Sequence, residues 1–267
     1  MSTTVQRRVV GAIVAIVVVT TCIMLGRWQW HRHEDRAARV EQITQNYDRS
    51  PVPLSDLVSD PSGPLRADVA WRSVELRGQF GDPVVKIRNR PVDGQPGFHI
   101  AQPFFLADGP VVLVNRGFVR TENEDSLDLS IQSATDVELV AHLRPSEEPD
   151  ARSAPIGQGF TFNPEQLLPG IDNLAANFYV IAESQTPPGP DQIVALPAPD
   201  TDLGSHFSYA LQWWFFAGGA VVAFIILMRR ENQHEGTQRP PKQRISSAEA
   251  EEDALIAAWE EEHQPQR

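Results

Sequence analysis

Two long apolar runs, one near each end of the chain, bracket a region in which apolar and polar residues alternate over short stretches. Val9 to Leu25 reads VVGAIVAIVVVTTCIML, and Phe207 to Met228 reads FSYALQWWFFAGGAVVAFIILM. Roughly 20 apolar residues cross about 30 Å of hydrocarbon as helix. The second run is that long, and the first becomes so with the interfacial flank Gly26–Trp30. The pattern thus predicts transmembrane helices over 9–30 and 206–228. Arg7 and Arg8 precede the first run and Arg229 and Arg230 follow the second, which places both termini in the cytoplasm. Trp28, Trp30, Tyr209, Trp213 and Trp214 fall at the opposite rim, where an aromatic belt belongs. No small-x-small cleavage site follows the first run, and Thr21 before Cys22 is a poor lipoprotein signal. The expectation is an uncleaved anchor in a bacterial plasma membrane.

Past the first run the pattern stays helical but turns polar, which predicts a stem over 31–49 that ends at Ser50-Pro-Val-Pro53. Strand signals follow: Trp71–Phe80, Val84–Arg90, Phe98–Leu106, Val111–Val119, Val137–Arg144, Phe178–Ala182 and Ile193–Leu196. Asp93-Gly94 and Asp108-Gly109 are turn signals that make the second to fourth of these an antiparallel meander. Asn163-Pro164 fits the N-cap and first position of a short helix through Leu168. The fold class expected is a two-span membrane protein. Its helices flank an extracytoplasmic, mainly antiparallel β domain over 50–205, barrel- or sandwich-like, with a short helix. Residues 1–8 form a cytoplasmic N-terminus and 229–267 an acidic cytoplasmic tail, in which Ala248–Glu262 has the spacing of an amphipathic helix.

Composition narrows the function. The chain has 267 residues and a formal charge of −12, with no basic stripe of the kind nucleic acid requires. Mean hydropathy is negative, which excludes a polytopic transporter. Cys22 is the single cysteine and lies inside an apolar run, so neither a disulfide framework nor a thiolate metal site can form within one chain. Met1, Met24 and Met228 lie outside the soluble part, which removes a methionine-rich copper chaperone.

Candidate chemistry gathers where the spans meet the exterior. His206 stands one residue before the second run, with Tyr209, Ala210 and Trp213 at helical spacings of three, four and seven. An imidazole, small residues and aromatic walls on one face, above Ala217-Gly218-Gly219-Ala220, suit a flat ligand such as an iron porphyrin. Composition alone favours a plainer role, an interfacial anchor bonded to headgroups or backbone. On the first span Arg32 neighbours Trp28 and Gln29 and could pair with haem propionates, with ordinary snorkelling as a strong competitor. Lys86, Arg88 and Arg90 share one strand face, either as an anion patch or, more simply, as solvated surface. His99 and His142 have no carboxylate at an informative spacing, and no nucleophile, P-loop or dinucleotide motif occurs.

These residues resemble the Surfeit-locus family of cytochrome c oxidase assembly proteins. The resemblance runs through Leu25-Gly26-x-Trp28-Gln29-x-x-Arg32, Val74-Glu-Leu-Arg-Gly78-Gln-Phe80, Pro96-Gly97-Phe98 to Pro103-Phe104, Val112-Leu-Val-Asn115-Arg116-Gly117-Phe118-Val119, and His206-Phe-Ser-Tyr209 with Gln212-Trp213. It covers roughly residues 8 to 230 and leaves out the acidic tail. Arg120 and Gly159-Phe-Thr-Phe162 depart from the usual pattern. The resemblance implies a non-enzymatic factor that assists insertion of haem a into the catalytic subunit of a haem–copper oxidase. His206 would be the axial ligand of the iron, with Tyr209, Trp213, Trp28 and Arg32 around the cofactor. The implied partners are that subunit, haem a synthase as a further candidate, and the lipid bilayer, but not nucleic acid. The alternative is a haem-independent scaffold that grips oxidase subunit I during maturation.

Overall fold

A computed structural model describes residues 3–107, 109–126, 136–237, 251–252, 254–256 and 258–259. Asp108 of the Asp108-Gly109 turn and most of the Ala248–Glu262 segment lie outside the described residues. The described part of that segment is helical, with Leu255, Ile256 and Trp259 exposed. The chain divides into two compact units, residues 1–30 with 207–267 and residues 31–206.

The larger unit is a β barrel. Its strands are β1 (Val52–Pro53), β2 (Ser73–Phe80), β3 (Val85–Ile87), β4 (Gly97–Leu106), β5 (Val111–Arg120), β6 (Val137–Pro145), β7 (Gln158–Gly159) and β8 (Leu174–Thr186). Their order is β1-β2-β6-β8-β5-β4-β3-β7, and a further pairing of β2 with β4 closes a five-stranded ring. The question of barrel or sandwich is thereby answered. The ring closes where Gly78, Gln79 and Phe80 face Leu106, Phe105 and Phe104. β2 alternates strictly: Val74, Leu76 and Phe80 point into the barrel, while Glu75, Arg77 and Gln79 face out. Inside, they meet Phe104, Val112, Val114, Leu139, Leu143, Phe178 and Val180.

β4 and β5 are buried almost along their whole length because both faces are covered. β3, with β7 beyond it, extends the sheet past β4. Phe162, Leu167, Leu168 and Tyr179 pack with Val85 and Ile87 into a second cluster around Ala101 and Leu113. Helix α3 (Pro164–Leu167) belongs to that cover. Its N-cap is Asn163, whose Oδ1 accepts from Gln166 N at 2.9 Å, and Pro164 holds the first turn, where a missing N–H costs nothing.

One expectation is refined and a second corrected. The sheet is mainly antiparallel, as expected, but β5 with β8, β1 with β2 and β3 with β7 are parallel. The meander β3-β4-β5 is antiparallel as its local turns require. β8, however, returns only after the long connection from β6 and enters between β6 and β5, where it runs antiparallel to one and parallel to the other. Second, Ile193–Leu196 is no strand. Only Val194 bridges, to Phe118, through bonds of 2.8 and 2.9 Å. Pro190, Pro197 and Pro199 around it cannot donate to a ladder.

Helix α1 (Thr3–Asn46) is one continuous element of 44 residues. Its last turns, in the larger unit, dock on the turn before β2. Asn46 Nδ2 donates to Asp68 O at 2.7 Å and Ala70 O at 2.9 Å, and Gln42 Nε2 donates to Ala67 O. The Tyr47 ring stacks on His142 at 4.1 Å, and the Arg144 guanidinium lies 3.9 Å over Trp71. Asn46→Ala is expected to cost about 1–3 kcal/mol, since it strands two carbonyls, one of them buried. Thermal unfolding of the full chain in detergent checks this, and an unchanged midpoint would count against it.

In the smaller unit, α1 packs against α4 (His206–Thr237), which runs nine residues beyond the apolar stretch that ends at Met228. α2 is the single turn Leu54–Leu57. Both long helices are apolar and long enough to cross a bilayer, and only 11% and 6% of their apolar windows are buried. That exposure is not what a soluble core helix shows.

Candidate functional site

The seam between α1 and α4 follows directly from side-chain size. On α4, Phe207, Ala210, Trp214, Ala217 and Phe224 recur at spacings of three, four and seven, and Ala210 and Ala217 are buried. On α1 the facing residues are Gly11, Cys22, Gly26 and Trp30. Phe224 lies 3.9 Å from where a Cβ of Gly11 would stand, and a Cβ on Gly26 would run into the Trp214 indole. Trp30 packs on Phe207 and Trp214 with centroids 5.9 and 5.8 Å apart. Arg8 Nε and Glu231 Oε2 approach to 3.6 Å at the other end. Aromatic rings against glycine fill this seam, so no flat ligand fits between the helices at the level of Gly26.

His206, Tyr209 and Trp213 lie on one flank of α4, turned from the seam by roughly 40–100° at 3.6 residues per turn. His206 is the first residue of the helix and is half-buried. Trp213 is half-buried and meets Phe216 edge-on at 6.0 Å, while Tyr209 is 47% exposed. The expected slot is therefore an open flank rather than an interhelical cleft. Gly218 and Gly219, where a Cβ would meet nothing within 4 Å, lie on other faces of α4, since five and six residues from Trp213 turn the helix well away from that flank. On α1, Trp28 and Arg32 are both exposed and sit one turn apart on a single strip. One flank of α4 thus carries an imidazole followed by two aromatic rings.

Arg36 continues that strip by a further turn, and nothing in the sequence pattern singled it out. Its Nε donates to Asp202 O at 2.8 Å, and its Nη2 donates to Asp200 O at 3.0 Å and to Asp200 Oδ2 at 2.9 Å. The carboxylates of this segment also organise their own backbone. Asp200 Oδ1 accepts from Asp202 N at 2.8 Å, and Asp202 Oδ1 accepts from Gly204 N at 2.9 Å.

The basic strand of the β domain divides on folding. Arg90 Nη2 donates to Glu147 Oε2 at 2.5 Å and to Phe160 O at 3.2 Å, with its guanidinium over the Phe162 ring. Lys86 lies over Phe98, and together with exposed Arg88 it lines a depression of about 450 Å³ that includes Asn89, Thr121 and Gln158. His142 acquires a carboxylate that linear spacing hid: Glu183 Oε2, from β8, stands 3.2 Å from its Nε2. His99 is buried, with Nδ1 3.2 Å from Asn115 Nδ2. Desolvation by burial, with the nearby Arg90 charge, pulls its pKa down to about 4, against the opposing pull of Glu147. Arg116 is also buried, where its guanidinium lies 4.1 Å over the Phe80 ring and Nη1 donates to Gln102 Oε1 at 2.8 Å. Burial lowers its pKa to about 10. Asn115-Arg116-Gly117 thus serves barrel packing. Among the described residues no group of three or more His, Cys, Asp or Glu side chains could hold a metal ion.

The chain also matches known proteins along most of its length. The model of the SURF1 family matches residues 16–218, from within α1 to within α4. An uncharacterized SURF1-like protein of Mycobacterium bovis is 32% identical over 217 residues, which cover 76% of each chain. A SURF1-like protein of Rickettsia felis is 23% identical over 215 residues, 75% of this chain and 89% of the relative. One from Dictyostelium discoideum is 28% identical over 99 residues, about a third of either chain. With more than half its length covered by the family model, the chain belongs to the SURF1 family.

Proposed function

We propose that this protein is an assembly factor for a haem–copper cytochrome c oxidase. It would be anchored in a bacterial plasma membrane by α1 and α4, with both termini cytoplasmic and the barrel outside. In this reading it is not an enzyme: it holds haem a for insertion into the catalytic subunit. The observation that carries the proposal is the placement of His206, at the first residue of an apolar helix and on its open aromatic flank. When bound, the haem would supply an iron for an imidazole to ligate and a farnesyl tail that partitions into lipid.

The chain's own residues account for retention and release. His206 would donate one imidazole nitrogen, and among the residues whose side chains are described the flank of α4 carries no second imidazole. An incomplete ligand set favours transfer over permanent storage. Tyr209 and Trp213 provide apolar and aromatic surface beside the macrocycle. Arg32, exposed at the polar edge, is placed to pair with a propionate, and Trp28 on the same strip adds interfacial anchorage. Because the flank is open, a partner helix of the oxidase could approach the same surface during handover.

The test is the visible spectrum of full-length protein purified in detergent from cells that make haem a. Wild type should carry haem, and His206→Ala should lose most of it, on the order of tenfold, if the imidazole is the only protein ligand. Equal haem in both would remove the ligand assignment. The second reading, a haem-independent scaffold, draws on the exposed Trp28, Tyr209 and Phe215, which offer an apolar surface to another subunit. It predicts that oxidase subunit I co-purifies at an undiminished level when haem a synthesis is blocked. Haem a synthase remains a candidate partner, as the donor from which such a factor would receive its cargo.

A further inference from the structure

We infer that Gly26 sets the rotation of α4: its bare backbone seats the Trp214 indole, and that seat decides which way the flank bearing His206 faces. The functional meaning rests on the haem reading above, whereas the geometry stands without it. Nothing is asked of the imidazole's own contacts, because a helix that turns carries every residue on it along. A Cβ at Gly26 would collide with Trp214 Nε1 and Cδ1 and stand 3.1 Å from its Cε2. The indole thus fills the volume in which any other residue type keeps its side chain. Neighbouring contacts agree with this seat. Trp30 packs on both Phe207 and Trp214, and Ala210 and Ala217, one turn to either side of Trp214, are buried.

The sequence offers a second seat that the fold does not use. Trp213 adjoins Trp214, and adjacent helical residues point about 100° apart. Were Trp213 in the notch, Tyr209 and Phe216 would face α1 in place of Ala210 and Ala217. His206 would then take the angular position of Phe207, since 206 and 213 are seven apart, as are 207 and 214. Tyr209 and Phe216 are 47% and 46% exposed in the rotation observed. Small residues let two helix backbones approach, and large ones hold them apart. The observed rotation closes the seam and keeps His206, Tyr209 and Trp213 together on the flank. The other would turn the same three residues toward α1. A side chain at position 26 removes the seat for Trp214, and with it the advantage of the observed rotation. Gly11 differs: a Cβ there would stand 3.9 Å from Phe224, an ordinary contact.

Two measurements on the full-length protein in detergent test this, and the first needs no haem. Cys22 is the single cysteine and is buried in the same seam, so its rate of alkylation by N-ethylmaleimide reports how closely the helices pack. Gly26→Leu should raise that rate by roughly fivefold or more, Gly26→Ala by less, and Gly11→Ala should leave it unchanged. Adding Trp214→Ala to Gly26→Leu should return the rate to within about twofold of wild type, whereas adding Trp213→Ala should not. A wild-type rate in Gly26→Leu, or a failure of Trp214→Ala to restore it, would overturn the inference whatever haem does. The second measurement is haem content, with the axial-ligand signature from low-temperature spin resonance. Gly26→Leu should hold roughly three- to tenfold less haem with a heterogeneous ligand signal, and the double variant with Trp214→Ala should recover most of both. If wild type and His206→Ala hold equal haem, the haem reading has failed while the alkylation result still stands. If His206→Ala loses haem and Gly26→Leu keeps a wild-type amount and signal, the positioning role is overturned and the haem reading survives.

Discussion

Gly78→Ala is expected to lower the stability of the barrel by about 3–5 kcal/mol, a drop on the order of 10 °C in the unfolding midpoint. The cause is the close approach that shuts the ring. Gly78 pairs with Val137 on one side and Leu106 on the other. A methyl group there would drive into the carbonyl of Phe105 and reach 3.0 Å from the Leu106 Cα. Both obstacles are backbone, so no side chain can swing aside. Relief must come from parting β2 and β4, which endangers the pairs at Gln79–Phe105 and Phe80–Phe104. Each lost ladder bond adds about 1 kcal/mol. Gly218→Ala is the matched control: it makes the same chemical change where a Cβ meets nothing within 4 Å, and should leave the midpoint almost unchanged. Thermal unfolding of the full chain in detergent, followed by near-ultraviolet circular dichroism, separates the two. Equal midpoints for both variants would mean that the ring does not close through β2 and β4.

Much of this architecture is legible before folding because it is local. Alternation over Trp71–Phe80 marks a strand with one buried face, and β2 occupies Ser73–Phe80. Asn163-Pro164 caps α3 as its chemistry requires. Two apolar runs stand out because few other stretches have their length. What is illegible is partnership. Periodicity reports which face of a strand is buried and is silent on which strand lies beside it. The parallel seating of β8 against β5 and the closure of β2 on β4 therefore had no local signature. The thirteen-residue β8 extends beyond Phe178–Ala182 at both ends: exposed Asn177 interrupts the apolar pattern on one side, and on the other the strand continues into the polar Glu183–Thr186. The same limit governs the candidate site. His206, Tyr209 and Trp213 share a flank because one helix carries them. That Trp214 rather than Trp213 fills the α1 seam depends on where Gly26 falls on the other helix. The grip of Arg36 on Asp200 and Asp202 spans 164 and 166 positions, and no spacing rule reaches that far.

Long-range placement also sets how the barrel responds to acid. His99 ionises near pH 6.5 in an unfolded chain, and in the folded protein its pKa is lowered to about 4. The hydrogen-bond geometry agrees with that direction. Asn115 Oδ1 accepts from Gly117 N at 3.2 Å, which fixes the amide so that Nδ2 points at His99 Nδ1. Nδ1 must then be the acceptor, and a proton added there would face an N–H. The other ring nitrogen is buried with no acceptor, so it gains nothing from a full positive charge. Between pH 6.5 and about 4 the unfolded chain binds a proton that the folded one refuses, and stability falls as pH falls through that window. The loss approaches about 3 kcal/mol near pH 4 and does not grow further below it, at 1.36 kcal/mol per pKa unit. Other groups of the protein also titrate in acid, so the informative quantity is a difference. Urea unfolding of wild type and His99→Gln, at steps from pH 7.5 to 4.5, should show a wild-type slope steeper by most of one proton around pH 5.5. Parallel curves would show that His99 takes up its proton without unfolding. The buried Asn115–His99 pair would then have to rearrange to accept it, and the barrel wall at β4 and β5 would be softer than its packing implies.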